Sequence, residues 1–209
     1  IFFRSASVQS NLGGTASIAQ MNAGTNGLVV LNSLNSVLGL RNDVTNTVFN
    51  LGLAIGNGVP QVQLTADRAA STTTTGLVAQ LAGGIRFGGS PGEQGQTLYI
   101  TAGNSYTLQV NGTVNVGPAT VESAPAFSFI RTDVNATFLG QITGGSTLVK
   151  TGTSQLDFGN VANGINDFSG GFQLVQGTAV FRSTTSGTPA AFATVNSLIN
   201  NGGIGSGTV

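Results

Sequence analysis

The chain has 209 residues, with seven Lys/Arg against seven Asp/Glu, a net charge of zero, and no histidine, cysteine or tryptophan. A neutral chain lacks the basic stripe that phosphate neutralisation needs, and it offers little attraction to anionic lipid heads. Without histidine or cysteine there is no Ser-His-Asp or thiolate catalysis and no disulfide framework, and 40% hydrophobic content argues against a disordered chain.

Read along the chain, helical periodicity is confined to two short stretches, around residues 17–21 and 190–193. Helices so short are marginal alone. Strand signals dominate, and they predict strands at 27–31, 47–53, 62–65, 84–87, 97–101, 106–110, 113–116, 126–130, 136–139, 146–150, 155–158, 172–175, 178–181 and 194–199. Turn pairs such as Asn57-Gly58, Gly103-Asn104, Asn111-Gly112 and Gly144-Gly145 separate them. Glycine reaches 32 residues, while charged residues are only 7%. Polarity comes from Ser, Thr, Asn and Gln, which suit turns and exposed strand faces. The pattern loosens between residues 60 and 82, where Ser71-Thr72-Thr73-Thr74-Thr75 reads as a loop, and residues 91–96 read as another. No run approaches the ~18 apolar residues of a membrane-spanning helix.

Many short strands between glycine turns fit either a sandwich or a solenoid. Imperfect units of the form Gly-x-Thr/Ser-x-apolar-x-apolar separate the two. They occur at Asn111-Gly112-Thr113-Val114-Asn115-Val116, Gly145-Ser146-Thr147-Leu148-Val149-Lys150, Gly177-Thr178-Ala179-Val180-Phe181 and Gly207-Thr208-Val209. A unit of this kind cannot bury its apolar face alone and must stack on its neighbours. The expected fold is all-β, a right-handed parallel β-helix (solenoid) over residues 1–209, with divergent or irregular coils at 1–135 and repeat-like coils at 136–209. A β-sandwich or jelly-roll-like N-terminal part is the alternative. With ~20–30 residues per coil, about seven to ten coils would form a rod of roughly 35–50 Å. Leu148, Leu156, Phe158, Phe172, Leu174, Val180 and Phe181 are the expected interior. The chain is expected to be a piece of a longer one, with a signal or pro-segment upstream and more sequence after Val209.

Residues 144–181 also resemble the autotransporter-associated β-strand repeat of exported bacterial passenger regions. Gly145-Ser146-Thr147-Leu148-Val149-Lys150-Thr151-Gly152 is similar to its opening. Gln155-Leu156-Asp157-Phe158, Asn160, Phe168-Ser169-Gly170-Gly171 and Gly177-Thr178-Ala179-Val180 follow in order, and Ile204-Gly205-Ser206-Gly207-Thr208-Val209 resembles the next start. The resemblance covers about residues 136–209. It implies a right-handed parallel β-helix, a secreted or cell-surface location and an adhesive or structural role.

The acids available for glycoside chemistry are Asp43, Asp67, Glu93, Glu122, Asp133, Asp157 and Asp167. Asp157 and Asp167 share one repeat and form the one candidate pair, but alternation with Leu156 and Phe158 points Asp157 to solvent. Lys150 is expected to project outward, and Asp67-Arg68 to be a solvated pair. Residues 83–89 (GGIRFGG) lack the Lys-Ser/Thr of a phosphate loop. Tyr99 and Tyr106 read as rim packing or as a sugar-contacting patch. Asn111-Gly112-Thr113 and Asn135-Ala136-Thr137 match the N-glycosylation pattern. No catalytic, cofactor or metal residue is assigned. The expected role is a non-catalytic extracellular or cell-surface structural or adhesive solenoid that self-associates as a homo-oligomer or filament. A surface glycan or another cell-surface protein is the further partner, with no nucleic acid and no membrane insertion of this segment. A carbohydrate-active β-helix enzyme and a phage-like fibre protein are the alternatives.

Overall fold

The computed structural model describes residues 2–4, 27–45, 47–88, 95–118, 120–121, 124–159 and 168–181, and all secondary structure among them is strand. The chain enters with β1 (Phe2–Arg4), then makes repeated three-strand passes. The first contains β2 (Gly27–Leu31), β3 (Ser36–Arg41) and β4 (Thr47–Phe49). The second contains β5 (Leu51–Ile55), β6 (Gln61–Asp67) and β7 (Val78–Leu81). The third contains β8 (Ile85–Arg86), β9 (Gln96–Ala102) and β10 (Thr107–Val110). The fourth contains β11 (Val114–Asn115), a hairpin of β12 (Thr120–Val121) and β13 (Ala124–Pro125), then β14 (Phe127–Thr132) and β15 (Ala136–Phe138). The fifth contains β16 (Ile142–Thr143), β17 (Thr147–Thr151) and β18 (Gln155–Phe158). It is followed by β19 (Phe172–Leu174) and β20 (Thr178–Phe181).

Each strand pairs in parallel with its equivalent in the next pass. The result is a seven-stranded sheet β1-β3-β6-β9-β14-β17-β19, a six-stranded sheet β4-β7-β10-β15-β18-β20 and a five-stranded sheet β2-β5-β8-β11-β16. This is a β-helix-like all-β parallel architecture. At ~4.8 Å per strand, the six spacings of the longest sheet span roughly 29 Å. The β12–β13 hairpin is the one antiparallel pair among the described residues. A facing antiparallel sandwich in the N-terminal part is therefore not what forms, since β3, β6 and β9 already pair in parallel. The irregularity expected there lies in the corners. Val62 pairs with Leu98 across 36 residues, whereas Ser128 pairs with Leu148 across only 20.

Inward side chains of all three sheets meet in one apolar core. In the seven-stranded sheet, Val62, Leu98 and Ile130 stack in one column and Leu38, Leu64 and Ile100 in the next. Val29, Leu53, Ile85, Val114 and Ile142 form a column of the five-stranded sheet. In the six-stranded sheet, Ala79, Leu108, Ala136, Leu156 and Ala179 alternate small with large. That alternation fits stacking at strand spacing, because each Leu spreads over the space its Ala neighbours leave. Beside it, Phe138, Phe158 and Phe181 stand in register, with the Phe158 and Phe181 rings stacked at 4.8 Å.

Of the expected interior residues, Leu148, Leu156, Phe158 and Phe172 are buried. Val180 pairs with Asp157 on the outward side, because adjacent strand residues cannot both face inward and Phe181 takes the inward place. Phe181 remains 38% exposed. Leu174 is half-buried against the core. The predicted strand 47–53 is two strands with a corner at Asn50. The stretches 17–21, 190–193 and 194–199 lie outside the described residues.

Tight corners set the spacing of the passes. A Cβ on Gly84 would collide with the Thr113 carbonyl, one on Gly112 with the Gly83–Gly84 backbone, and one on Gly140 with the Gly112 carbonyl. Main chain therefore packs directly on main chain at the turn between the six- and five-stranded sheets.

Candidate interaction faces

Three polar arrangements stand out from the stacked strands. The first lies on the outer face of the seven-stranded sheet, where the register sets Gln63, Tyr99 and Arg131 in one row. The Tyr99 hydroxyl donates to Asp133 at 2.6 Å, the Arg131 guanidinium lies 4.6 Å from the Tyr99 ring centroid, and its Nη2 reaches Asp133 at 3.2 Å. The Tyr99 hydrogen bond, aided by Arg131, holds the Asp133 carboxyl below its ordinary value, while the same bond raises the Tyr99 phenol. Tyr106 belongs to a different environment. It is 1% exposed and its hydroxyl donates to the Asn42 carbonyl at 2.6 Å. The two tyrosines therefore do not form one patch.

Asp67 does not pair with Arg68 as a solvated couple. Its carboxylate bonds Arg41 of the preceding pass at 2.6 Å, the Asn104 amide at 2.5 Å and the Arg68 backbone N–H at 2.8 Å. Partial burial opposes ionisation, but these donors outweigh it and hold the carboxyl below its ordinary value. Arg68 instead donates to the Thr72 carbonyl. Asp43 accepts the backbone N–H groups of Ala69, Ala70 and Ser71 at 2.8 to 3.0 Å, and Ser71 Oγ accepts those of Thr73 and Thr74. The predicted Ser/Thr loop is thus an ordered corner between β6 and β7. Asp43→Ala removes three charge-assisted bonds from it. The expected result is faster tryptic cleavage at Arg68, by about tenfold, with a cost of only ~1–3 kcal/mol in global stability. An unchanged cleavage rate in limited proteolysis would show that Asp43 does not hold the loop.

The second arrangement corrects the reading of Lys150 as an outward side chain. Lys150 is 0% exposed and stands in an inward column between Ile130 and Leu174. Its ammonium donates to the carbonyls of Thr151 (2.6 Å), Gly152 (2.9 Å) and Gln176 (3.1 Å), joining two successive corners. Burial pushes it down from 10.5 to about 8. The folded state therefore releases this proton before the unfolded chain does, so stability rises with pH from about 8 toward 10. Above that, Tyr99 and Tyr106, whose phenols are raised, reverse the slope. Lys150→Met is expected to lower stability at pH 7 by ~1–3 kcal/mol, through three orphaned carbonyls, and to abolish the alkaline rise. Urea titrations of both proteins at pH 7, 8, 9 and 10 check this, and parallel pH profiles would refute it.

The third arrangement is an open furrow of about 420 Å³ on the outer face of the five-stranded sheet. The register places Ala54, Arg86 and Asn115 in one row, and Gly52, Gly84 and Thr113 line the furrow beside it. Leu28, 61% exposed, closes one end. With no side chains on Gly52 and Gly84, the floor is peptide plane. Arg86, Thr113 and Asn115 are exposed along its side.

Asp157 is directed outward by its register with Thr137 and Val180, yet it is 6% exposed and not open to solvent as expected. Asp167, Glu93, Glu122 and Asn160 lie outside the described residues, so the Asp157–Asp167 pair has no geometry. Of the two glycosylation-pattern asparagines, Asn111 donates to Gln80, and the Asn135 side-chain carbonyl accepts the Gln155 N–H. Among the described residues, no group of three or more acids could hold a metal ion, and no helix is long and apolar enough to cross a membrane. Sequence reading took residues 83–89 as a strand at 84–87 and a failed phosphate loop. It missed the furrow because Gly52, Arg86 and Thr113 meet only through strand register. Compared with family models, curated proteins and solved structures, the chain matches none.

Proposed function

We propose that this chain is a stretch of a right-handed parallel β-helix that serves outside the cell as a non-catalytic structural or adhesive rod, associating with copies of itself. The observation that carries the reading is the unbroken parallel register of the seven-stranded sheet over one shared apolar core. Such stacking gives a stiff body whose backbone groups are satisfied along its length. Right-handedness follows from the rule for parallel crossovers, since every return from one strand to its equivalent, such as β6 to β9, is a crossover within one sheet. The motif resemblance of residues 145–180 to exported strand repeats supports an extracellular site. Low charge removes the long-range repulsion that would keep copies apart.

Self-association is tested by electron microscopy and sedimentation of the purified chain over a range of concentrations. End-to-end or lateral assemblies that grow with concentration are expected. Discrete short monomers at every concentration would remove the self-association reading. A left-handed or unclosed path in an experimental structure would remove the β-helix itself.

A further inference from the structure

We infer that the furrow on the five-stranded sheet is a binding site for an acidic polysaccharide, with Arg86 receiving the carboxylate of a uronic acid unit. The inference deepens the adhesive reading above by naming a partner class, and its test does not depend on whether the chain self-associates.

Charge complementarity carries the argument. Four of the other basic side chains are engaged. Arg41 pairs with Asp67, Arg131 with Asp133, Arg68 donates to the Thr72 carbonyl, and Lys150 is buried among three carbonyls. Arg86 is exposed and has no anionic or hydrogen-bonding partner among the described residues. The described acids cannot serve it from a second copy, because they are committed too. Asp43 holds three backbone N–H groups, Asp67 and Asp133 hold arginines, and Asp157 is buried. Among the described acids none is left for Arg86, and the partner inferred for it is an outside anion.

The surface beside Arg86 decides its class. A peptide that docks by adding a strand needs free backbone groups. Here those groups are spent within the sheet. The Gly84 carbonyl accepts Leu53 N–H at 2.9 Å and the Thr113 carbonyl accepts Ile85 N–H at 3.0 Å. What remains is a glycine-rich floor, flanked by the Arg86 guanidinium, the Thr113 hydroxyl and the Asn115 amide, whose Oδ1 already accepts the Gly117 N–H. A sugar ring lays its C–H face on such a floor while its hydroxyls meet Thr113 and Asn115. Its carboxylate then takes the two-pronged hydrogen bond that a guanidinium gives.

The test measures binding of polygalacturonate oligomers to the purified chain by calorimetry. An uncharged galactan of similar length and poly-glutamate serve as the comparisons. Expected are measurable binding of the uronate oligomer, weakening in added sodium chloride, and no binding of the neutral one. Arg86→Gln should weaken the affinity by about tenfold or more, and Arg86→Lys should restore part of it, with circular dichroism unchanged in both. No uronate binding by the parent chain, or equal binding by Arg86→Gln, overturns the site. Poly-glutamate binding as tightly as the uronate overturns the sugar class.

Discussion

Gly84→Val is expected to destabilise the fold by about 3 kcal/mol or more, the upper range for overpacking a tight site. For a chain of this size that is a fall of roughly 6–12 °C in Tm. The new Cβ would run into the Thr113 carbonyl. That carbonyl cannot retreat freely, because it accepts Ile85 N–H at 3.0 Å, while the Gly84 carbonyl accepts Leu53 N–H at 2.9 Å from the other side. Relief would mean spreading two passes apart at the corner and losing ladder bonds above and below. Gly76→Ala supplies the contrast. Gly76 has φ +72 but nothing lies within 4 Å of its Cβ position, so only the left-handed backbone cost of about 1–2 kcal/mol applies. Thermal unfolding of the two variants beside the parent decides the matter. Equal losses would mean that the corners do not touch as described.

Phe158→Ala should be of similar severity, about 3–5 kcal/mol for deleting a buried phenylalanine. Phe158 is 2% exposed and meets three other rings. It is edge-on to Phe138 at 6.4 Å and to Phe172 at 5.5 Å, and stacked on Phe181 at 4.8 Å. These rings belong to three successive passes, so its loss opens a cavity where the last described pass rests on its predecessor. Hydrogen exchange should therefore accelerate first in β19 and β20, ahead of β6 and β9. Uniform acceleration across all three sheets would contradict this account, as would an unchanged unfolding midpoint.

Most of the strands were legible because turn residues punctuate short apolar runs, and period-two alternation needs no knowledge of partners. Two of the strands that sequence reading missed, β7 and β3, had specific reasons. In β7 the inward residue beside Leu81 is only Ala79, and β3 carries Gly39 among its apolar residues. Both are supported by column neighbours many residues away rather than by local propensity. Lys150 is instructive because its position was readable. Leu148 faces inward, and two residues on is the same face. The usual exposure of lysine overrode the alternation, and the carbonyls of Gly152 and Gln176 that satisfy the ammonium could not be placed beforehand. Asp67 was matched to its chain neighbour Arg68 when its partner was Arg41, 26 residues earlier. In a stacked chain, spatial neighbours sit one pass away, and the furrow beside Arg86 was hidden for the same reason.

The Ser128–Leu148 and Ala136–Leu156 pairings have one further consequence. Both join residues a constant 20 positions apart, so this pass is a self-contained module with matched entry and exit points. Reach can therefore be changed by adding or removing whole storeys of the tower, leaving the lateral surfaces of those that remain as they were. Length and lateral surface become separately adjustable properties of one polypeptide.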